Sequence, residues 1–136
     1  MCDLRILHIE DDEDDIILFN EALDKECPGY TIQTIVNGLD AFDFIQKHRL
    51  DFDIVVLDLN LPGINGFKLL AEMRKTHGTT DLPICILSTS NDDGHMRKAF
   101  AYGANFFFTK PSSMKDFTSL VGKICDFKNL PPVGGF

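Results

Sequence analysis

The sequence predicts an α/β domain in which helices cover both faces of a parallel five-stranded sheet. Five short β-type runs alternate along the chain with five helical patterns, and this alternation is typical of parallel sheets. One run, Ile54–Leu57, is continuously apolar, which indicates a strand that is buried on both faces. The length of 136 residues fits one domain of ordinary size.

The first two predicted strands are each followed by a helix. In the first helix Ile16, Phe19 and Leu23 fall roughly on one face, and Pro28-Gly29 then breaks the pattern. An Asn37-Gly38 turn leads from the second strand into the second helix. The predicted bounds, in chain order, are Leu4–Ile9, Asp14–Lys25, Tyr30–Val36 and 38–48.

Three further strand–helix pairs complete the pattern. Gly103 is predicted to cap the fourth helix in the left-handed conformation, and Ser113 with Asp116 forms a capping-box pattern before the fifth. The fifth helix carries apolar residues at i, i+3, i+4 and i+7, namely Phe117, Leu120, Val121 and Ile124. The predicted bounds are Phe52–Leu57, Phe67–Thr76, Pro83–Leu87, Asp92–Tyr102, Asn105–Thr109 and a last helix after Ser113.

Composition excludes several classes of function. The formal net charge of -8 argues against a nucleic-acid-binding surface, which needs clustered Lys and Arg. No segment approaches the ~20 apolar residues of a membrane span, and the N-terminal residues, which lack a long apolar stretch, predict no signal peptide. The four cysteines, Cys2, Cys27, Cys85 and Cys125, are too dispersed for a zinc or redox motif, and Cys85 is expected in the core. Free thiols without an export signal predict a cytoplasmic protein.

Polar side chains follow four of the five predicted strands. Glu10 and Asp11 follow the first strand, Asp58 the third, Ser88 with Thr89 the fourth, and Lys110 the fifth. A single acid after a strand is usually a cap or turn residue. Because ligands of open parallel sheets bind at the carboxyl ends of the strands, we expect these side chains to converge on one rim.

The acids of this rim predict a divalent cation. Two carboxylates about 4 Å apart repel by roughly 4 kcal/mol at an effective dielectric constant of ~20, and Lys110 can offset only part of this. Hard oxygen ligands disfavour zinc and copper. The small number of protein ligands favours Mg²⁺, which keeps several of its water ligands. An EF-hand loop is excluded because the required glycine position holds Ile16.

Carboxylate, metal, lysine and hydroxyl together indicate phosphoryl transfer. The metal and Lys110 would neutralise charge on the phosphoryl oxygens, and a carboxylate can be the nucleophile. Asp58 is the predicted nucleophile because it ends the central buried strand. Glu10 and Asp11 are better placed to hold the metal.

The rim motifs resemble the receiver domain of two-component response regulators over about Leu4 to Asp126. The motifs are Ile9-Glu10-Asp11, Asp58-Leu59-Asn60-Leu61-Pro62 with Gly63 and Gly66, Leu87-Ser88-Thr89, and Lys110-Pro111. The resemblance implies the flavodoxin-like (βα)5 sandwich with strand order 2-1-3-4-5, for which a chemotaxis receiver is itself the standard example. Two segments, around Asp58 and Ser88, also resemble stand-alone receivers associated with phytochrome-type kinases.

The resemblance implies a role for each rim residue. Asp58 is the phosphoacceptor; Asp11 binds Mg²⁺ (or Mn²⁺ as a substitute) directly, Glu10 binds it through water, and Asn60 through its backbone carbonyl. Lys110 pairs with the phosphoryl group, and its bond to Pro111 is cis. The switch residues are Ser88, Thr89 and Phe107, although core packing explains Phe107 equally well; Asn60 and Ser90 flank the path of a hydrolytic water. The histidines His8, His48, His77 and His95 are expected on the surface or in loops, without a catalytic role.

Three alternatives compete with a phosphoacceptor switch. A haloacid-dehalogenase-type enzyme needs a second acid two residues after its nucleophile, where this chain has Asn60. A flavin-binding module needs a Ser/Thr/Gly-rich phosphate cradle after the first strand, where this chain has six acids, Glu10 to Asp15. A degenerate receiver that only binds partners is disfavoured because all five key positions hold competent side chains.

The sequence therefore predicts a single-domain response regulator rather than an enzyme. The receiver is expected at residues 1–128, with a short tail at 129–136 and no output domain. Its expected partners are a sensor histidine kinase or histidine phosphotransfer protein and a downstream protein target. The surface formed by the fourth helix, fifth strand and fifth helix is expected to carry the output, and a homodimer through it is a further hypothesis.

Overall fold

A computed structural model describes residues 3–48, 51–77, 82–90 and 92–129. Every predicted strand and helix is present, with bounds within two residues of those expected from the sequence. A short 3-10 turn, Phe127–Asn129, follows the last helix, and the rest of the predicted tail lies outside the described residues. The elements are β1 Arg5–Ile9, α1 Glu13–Glu26, β2 Thr31–Ile35, α2 Gly38–Lys47, β3 Ile54–Asp58, α3 Gly66–His77, β4 Ile84–Ser88, α4 Asp93–Ala101, β5 Phe106–Thr109 and α5 Met114–Cys125.

The five strands form one parallel sheet in the order β2-β1-β3-β4-β5, as the sequence predicts. Two apolar cores fill the spaces between sheet and helices. One lies beneath α1 and α5 and the other beneath α2, α3 and α4. Every residue of β3 and β4 is buried, which agrees with the continuously apolar run in β3.

Local sequence explains where the helices begin and end. Asp12 caps α1 by accepting a hydrogen bond from the backbone N–H of Asp15, and Ser113 caps α5 in the same way from Asp116. Gly103 has a φ of 108° and ends α4 in the left-handed region, as predicted. None of the helices in the described ranges is both long and apolar enough to cross a membrane.

Gly66 brings the start of α3 against the loop that follows β3. A Cβ atom at Gly66 would lie 2.6 Å from Cα and 2.8 Å from the carbonyl oxygen of Leu59, so only glycine fits here. This close approach fixes the backbone immediately after Asp58, where the predicted site begins.

Three sequence predictions are wrong. No cis peptide bond occurs within the described residues, so the bond between Lys110 and Pro111 is trans, the isomer that X-Pro bonds favour by about 0.5–1 kcal/mol. Cys27 is disulfide-bonded, whereas Cys85 and Cys125 are free thiols, so within the described residues the expectation of free cysteines fails at Cys27. His8 is only 1% exposed, because the alternation of β1 turns it toward the core beneath α1.

The buried imidazole of His8 packs against the ring of Phe19, with centroids 4.3 Å apart. Its Nδ1 has no hydrogen-bond partner among the described residues. Burial, reinforced by the charge of Lys110, lowers the pKa of His8 from 6.5 to about 3. By contrast His48 and His95 are exposed, as expected, and the side chain of His77 lies outside the described residues.

His8 is expected to make the protein acid-sensitive. The unfolded chain protonates His8 below about 6.5 and the folded chain only near 3, so its contribution to stability is lost as the pH falls through this window. Relative to His8→Val, the free energy of unfolding of the wild type should fall by about 1.4 kcal/mol per pH unit below 6.5. Urea titrations at several pH values measure this difference, and the exposed His95→Gln serves as control. Parallel pH profiles for wild type and His8→Val would contradict the prediction.

Candidate functional site

The carboxyl ends of the strands bring the predicted polar side chains together. Glu10, Asp58 and Ser88 are 1%, 2% and 2% exposed, although each carries a polar group. Asp11, by contrast, faces solvent. Burial of a polar group costs free energy unless the group is paired. Three buried polar side chains at one edge of the sheet therefore indicate a functional site rather than a set of surface turns.

Lys110 lies at the centre of the rim, with a side chain that is only 9% exposed. Its Nζ donates hydrogen bonds to Asp15 Oδ2 at 2.9 Å and to Asp58 Oδ2 at 3.1 Å. A third carboxylate oxygen, Glu10 Oε1, forms an ion pair with Nζ at 2.8 Å, although the angle falls outside hydrogen-bond geometry. The single buried ammonium group of Lys110 therefore pairs with three carboxylates.

The charges of the rim shift the ionisation of its members. Burial and a hydrogen bond with Asp58 raise the pKa of Glu10 from 4.5 to about 8, against the opposing effect of Lys110. Burial alone would lower the pKa of Lys110, but the contacts with Glu10 and Asp15 outweigh it and raise this pKa. The single lysine thus stays charged and leaves the surrounding carboxylates incompletely neutralised.

The acid cluster fits a divalent metal ion. One carboxylate oxygen from each of Glu10, Asp11 and Asp58 lies within 4.8 Å of the other two. All three ligands are hard oxygens, which suits Mg²⁺, Mn²⁺ or Ca²⁺ better than zinc or copper. Lys110 forms ion pairs with two of these residues, Glu10 and Asp58. The negative charge of Asp11 therefore remains for a cation to neutralise.

The loops after β3 and β4 meet across the site. The backbone N–H of Asn60 donates to Asp58 Oδ1 at 3.0 Å, and the Asn60 side-chain amide donates to Thr89 Oγ1 at 2.9 Å. Ser88 Oγ accepts a hydrogen bond from the backbone of Ser90 at 3.1 Å, and Ser90 Oγ accepts one from Asp92. These contacts hold Asn60 against the Asp58 carboxylate and tie the loop after β3 to the loop after β4.

Phe107 lies away from the rim polar groups and is 1% exposed. It packs in the core beneath α2, α3 and α4, in the same cluster as Ile86 and Ala99. This packing agrees with the core interpretation of Phe107, and its switching role stays a prediction.

Asp15 is the functional candidate that strand-end reasoning missed. It belongs to the first turn of α1 rather than to a strand end, and the run of six acids hides it among helix-cap and surface carboxylates. The capping bond from its N–H to Asp12 sets the start of the helix. In this position its carboxylate reaches Lys110, which is 95 residues away in sequence.

Comparisons with known proteins agree with this geometry. A family model described as the response regulator receiver domain matches residues 6–122. The chain is 29% identical to sporulation initiation phosphotransferase F of Bacillus subtilis over 129 residues, covering 95% of this chain and 99% of that protein. Several other curated relatives are longer, and the chain spans 19–46% of their length.

Two solved structures share the whole architecture. The phosphorylated cyanobacterial phytochrome response regulator RcpA aligns with a TM-score of 0.82 and 26% identity, covering 91% of this chain and 92% of that one. The Mn(2+)-bound form of response regulator Rcp1, a protein of Synechocystis, aligns with a TM-score of 0.81 and 27% identity, covering 92% and 94%. The predicted resemblance to phytochrome-associated receivers is thereby confirmed.

Proposed function

Because this chain belongs to the response regulator receiver domain family, we propose that Asp58 accepts a phosphoryl group from a phosphohistidine. Members of this family are phosphoacceptor switches in two-component signalling. The observation that carries the assignment to Asp58 is its setting: a carboxylate 2% exposed, paired with Lys110 at 3.1 Å and grouped with Glu10 and Asp11. The donor is a sensor histidine kinase or a histidine phosphotransfer protein.

In the proposed reaction a carboxylate oxygen of Asp58 attacks the phosphorus atom. The P–N bond of the phosphohistidine breaks, its electron pair leaves with the imidazole, which takes a proton from water, and an aspartyl phosphate remains. Lys110 pairs with the negative charge that develops on the phosphoryl oxygens. When bound, Mg²⁺ supplies further positive charge at those oxygens.

We assign the metal to Glu10, Asp11, Asp58 and the backbone carbonyl of Asn60. Mg²⁺ is the proposed physiological ion, because few protein ligands and several waters suit its coordination. Mn²⁺ substitutes for it, as the Mn(2+)-bound form of Rcp1 supports.

The site should retain its phosphoryl group rather than turn over external substrates. Asn60 occupies the position where a hydrolase would need a general acid, and its amide already donates to Thr89. Hydrolysis of the protein's own acyl phosphate is therefore the proposed limit of its catalysis. Asn60 and Ser90 flank the proposed path of the attacking water and tune its rate.

Phosphorylation is proposed to change the surface formed by α4, β5 and α5. Ser88 turns its hydroxyl toward the phosphoryl group, the segment with Thr89 follows, and Phe107, which is already buried, changes its packing within the core. A downstream protein binds the changed surface, which also serves a homodimer. The proposed receiver unit spans residues 1–128, and the cytoplasm is its proposed location because ATP-dependent kinases act there.

Intact-protein mass spectrometry tests the proposal. Incubation with a small phosphodonor and Mg²⁺ should add one phosphoryl group to the wild type, and removal of metal with EDTA should prevent uptake. Treatment with hydroxylamine should remove the group, because it cleaves acyl phosphates and leaves serine and threonine phosphates intact. The proposal would be contradicted if the wild type took up no phosphoryl group, or if the adduct resisted hydroxylamine.

A further inference from the structure

Asp15 contacts Lys110 of the site, although it lies in the first turn of α1 and not at the end of a strand. Its Oδ2 lies 2.9 Å from Lys110 Nζ, closer than the 3.1 Å between Nζ and Asp58 Oδ2. The side chain of Asp15 is 22% exposed, whereas those of Glu10 and Asp58 are 1% and 2% exposed. Asp15 is thus the outermost of the three carboxylates that share the lysine.

A phosphoryl group on Asp58 must compete for this lysine. An ammonium group has three N–H donors; Asp15 and Asp58 accept hydrogen bonds from two of them, and Glu10 Oε1 lies 2.8 Å from Nζ as an ion pair. A phosphoryl group brings three charged oxygens, more acceptors than the Asp58 carboxylate gives up, so it competes with the other two carboxylates for Nζ. Glu10 and Asp58 cannot regain water without moving out of the buried rim, but Asp15 can be solvated where it stands.

We infer that Asp15 is a positioning residue that holds Lys110 in the unphosphorylated state and gives it up when Asp58 is phosphorylated. The inference rests on the proposed phosphoacceptor function of Asp58. Asp15 restrains phosphoryl uptake in two ways, because it binds the lysine that the phosphoryl group needs and its charge repels an anionic donor. It also links the phosphorylation state to the first turn of α1.

Asp15→Asn should therefore accelerate phosphorylation by a small phosphodonor about three- to tenfold at fixed Mg²⁺. The matched control is Asp14→Asn, which removes the same charge from an exposed neighbour in the same helical turn. Asp15→Glu should restore the slow rate, because it restores the charge near Lys110. Mg²⁺ affinity should change equally in both asparagine variants, since Asp15 is outside the metal cluster.

A double-mutant cycle separates positioning from a general charge effect. In a Lys110→Ala background, Asp15→Asn should accelerate uptake no more than Asp14→Asn does, because the shared lysine is gone. Equal rates for Asp15→Asn and Asp14→Asn in the otherwise wild-type protein would overturn the inference while leaving the phosphoacceptor function intact. If wild type and Asp14→Asn both fail to take up phosphoryl groups, the proposed function itself fails.

Discussion

Replacement of Asp58 by asparagine is expected to abolish phosphoryl uptake and, above about pH 8 and without divalent metal, to stabilise the fold by about 1–3 kcal/mol. Uptake is lost because the amide is not a nucleophile for phosphorus and does not ligate a cation as a carboxylate does. The gain in stability follows from the charges around Asp58, which is 2% exposed.

The opposing interactions of Asp58 can be compared by size. At an effective dielectric constant of ~20, the attraction of Asp58 to Lys110 at 3.1 Å is worth about 5 kcal/mol; the repulsion from Asp11, and from Glu10 above its pKa of about 8, is about 3.5 kcal/mol or more each, because the oxygens lie within 4.8 Å of one another. Solvent weakens the repulsion from the exposed Asp11. Desolvation of the Asp58 carboxylate adds to the unfavourable side, so removing the charge has a net stabilising effect.

Urea unfolding in EDTA and in millimolar Mg²⁺ measures this prediction. Mg²⁺ should stabilise the wild type more than Asp58→Asn, because it binds the folded acid cluster and the variant has lost a ligand. Asp53→Asn is the matched control at the other end of β3. It should be destabilising, since Asp53 accepts a 2.8 Å hydrogen bond from the backbone of Arg5 and pairs with its guanidinium. A destabilised Asp58→Asn in EDTA would show that its contact with Lys110 outweighs the repulsion.

The fold and most of the site were predictable because their determinants are local. Glycine, capping residues and the apolar run of β3 each act within a few residues, and parallel strands necessarily present Glu10, Asp58 and Lys110 at one edge. The positions of the strand ends could not identify Asp15, because its contact with Lys110 depends on the orientation of the first turn of α1 relative to β5. That orientation is set by tertiary packing rather than by the acid run itself.

His8 was missed for a related reason. Its polarity suggested a surface position, but β1 is covered by helices on both faces and leaves no solvent-facing side for a histidine. At the Lys110–Pro111 bond the local preference for trans holds, and the cis expectation taken from the family resemblance is wrong. Polarity therefore fails as a guide to position where tertiary context decides.

Lys110→Met is expected to destabilise the metal-free protein by about 3–5 kcal/mol. The substitution keeps most of the apolar stem but leaves the buried Asp58 carboxylate without its cation, and any ionisation of the buried Glu10 is then also uncompensated. The matched control is Lys98→Met, which removes an ammonium group that lies 4.5 Å from the ring of Phe67. The control should cost about 0.5–1 kcal/mol. Urea unfolding in EDTA measures both values.

The pH dependence of this loss identifies its cause. The pKa of Glu10 is raised to about 8, mainly by burial, so the stability linked to its proton is complete below 4.5 and is lost as the pH rises through 8. Lys110 is what opposes that raised pKa. Without Lys110 the pKa of Glu10 rises further, so the loss in Lys110→Met should be constant between about pH 5 and 7, where Glu10 is protonated in both folded proteins, and should grow above pH 8, where Glu10 ionises in the wild type first. A loss that is independent of pH would instead assign the role of Lys110 to packing, since lost van der Waals contacts do not titrate.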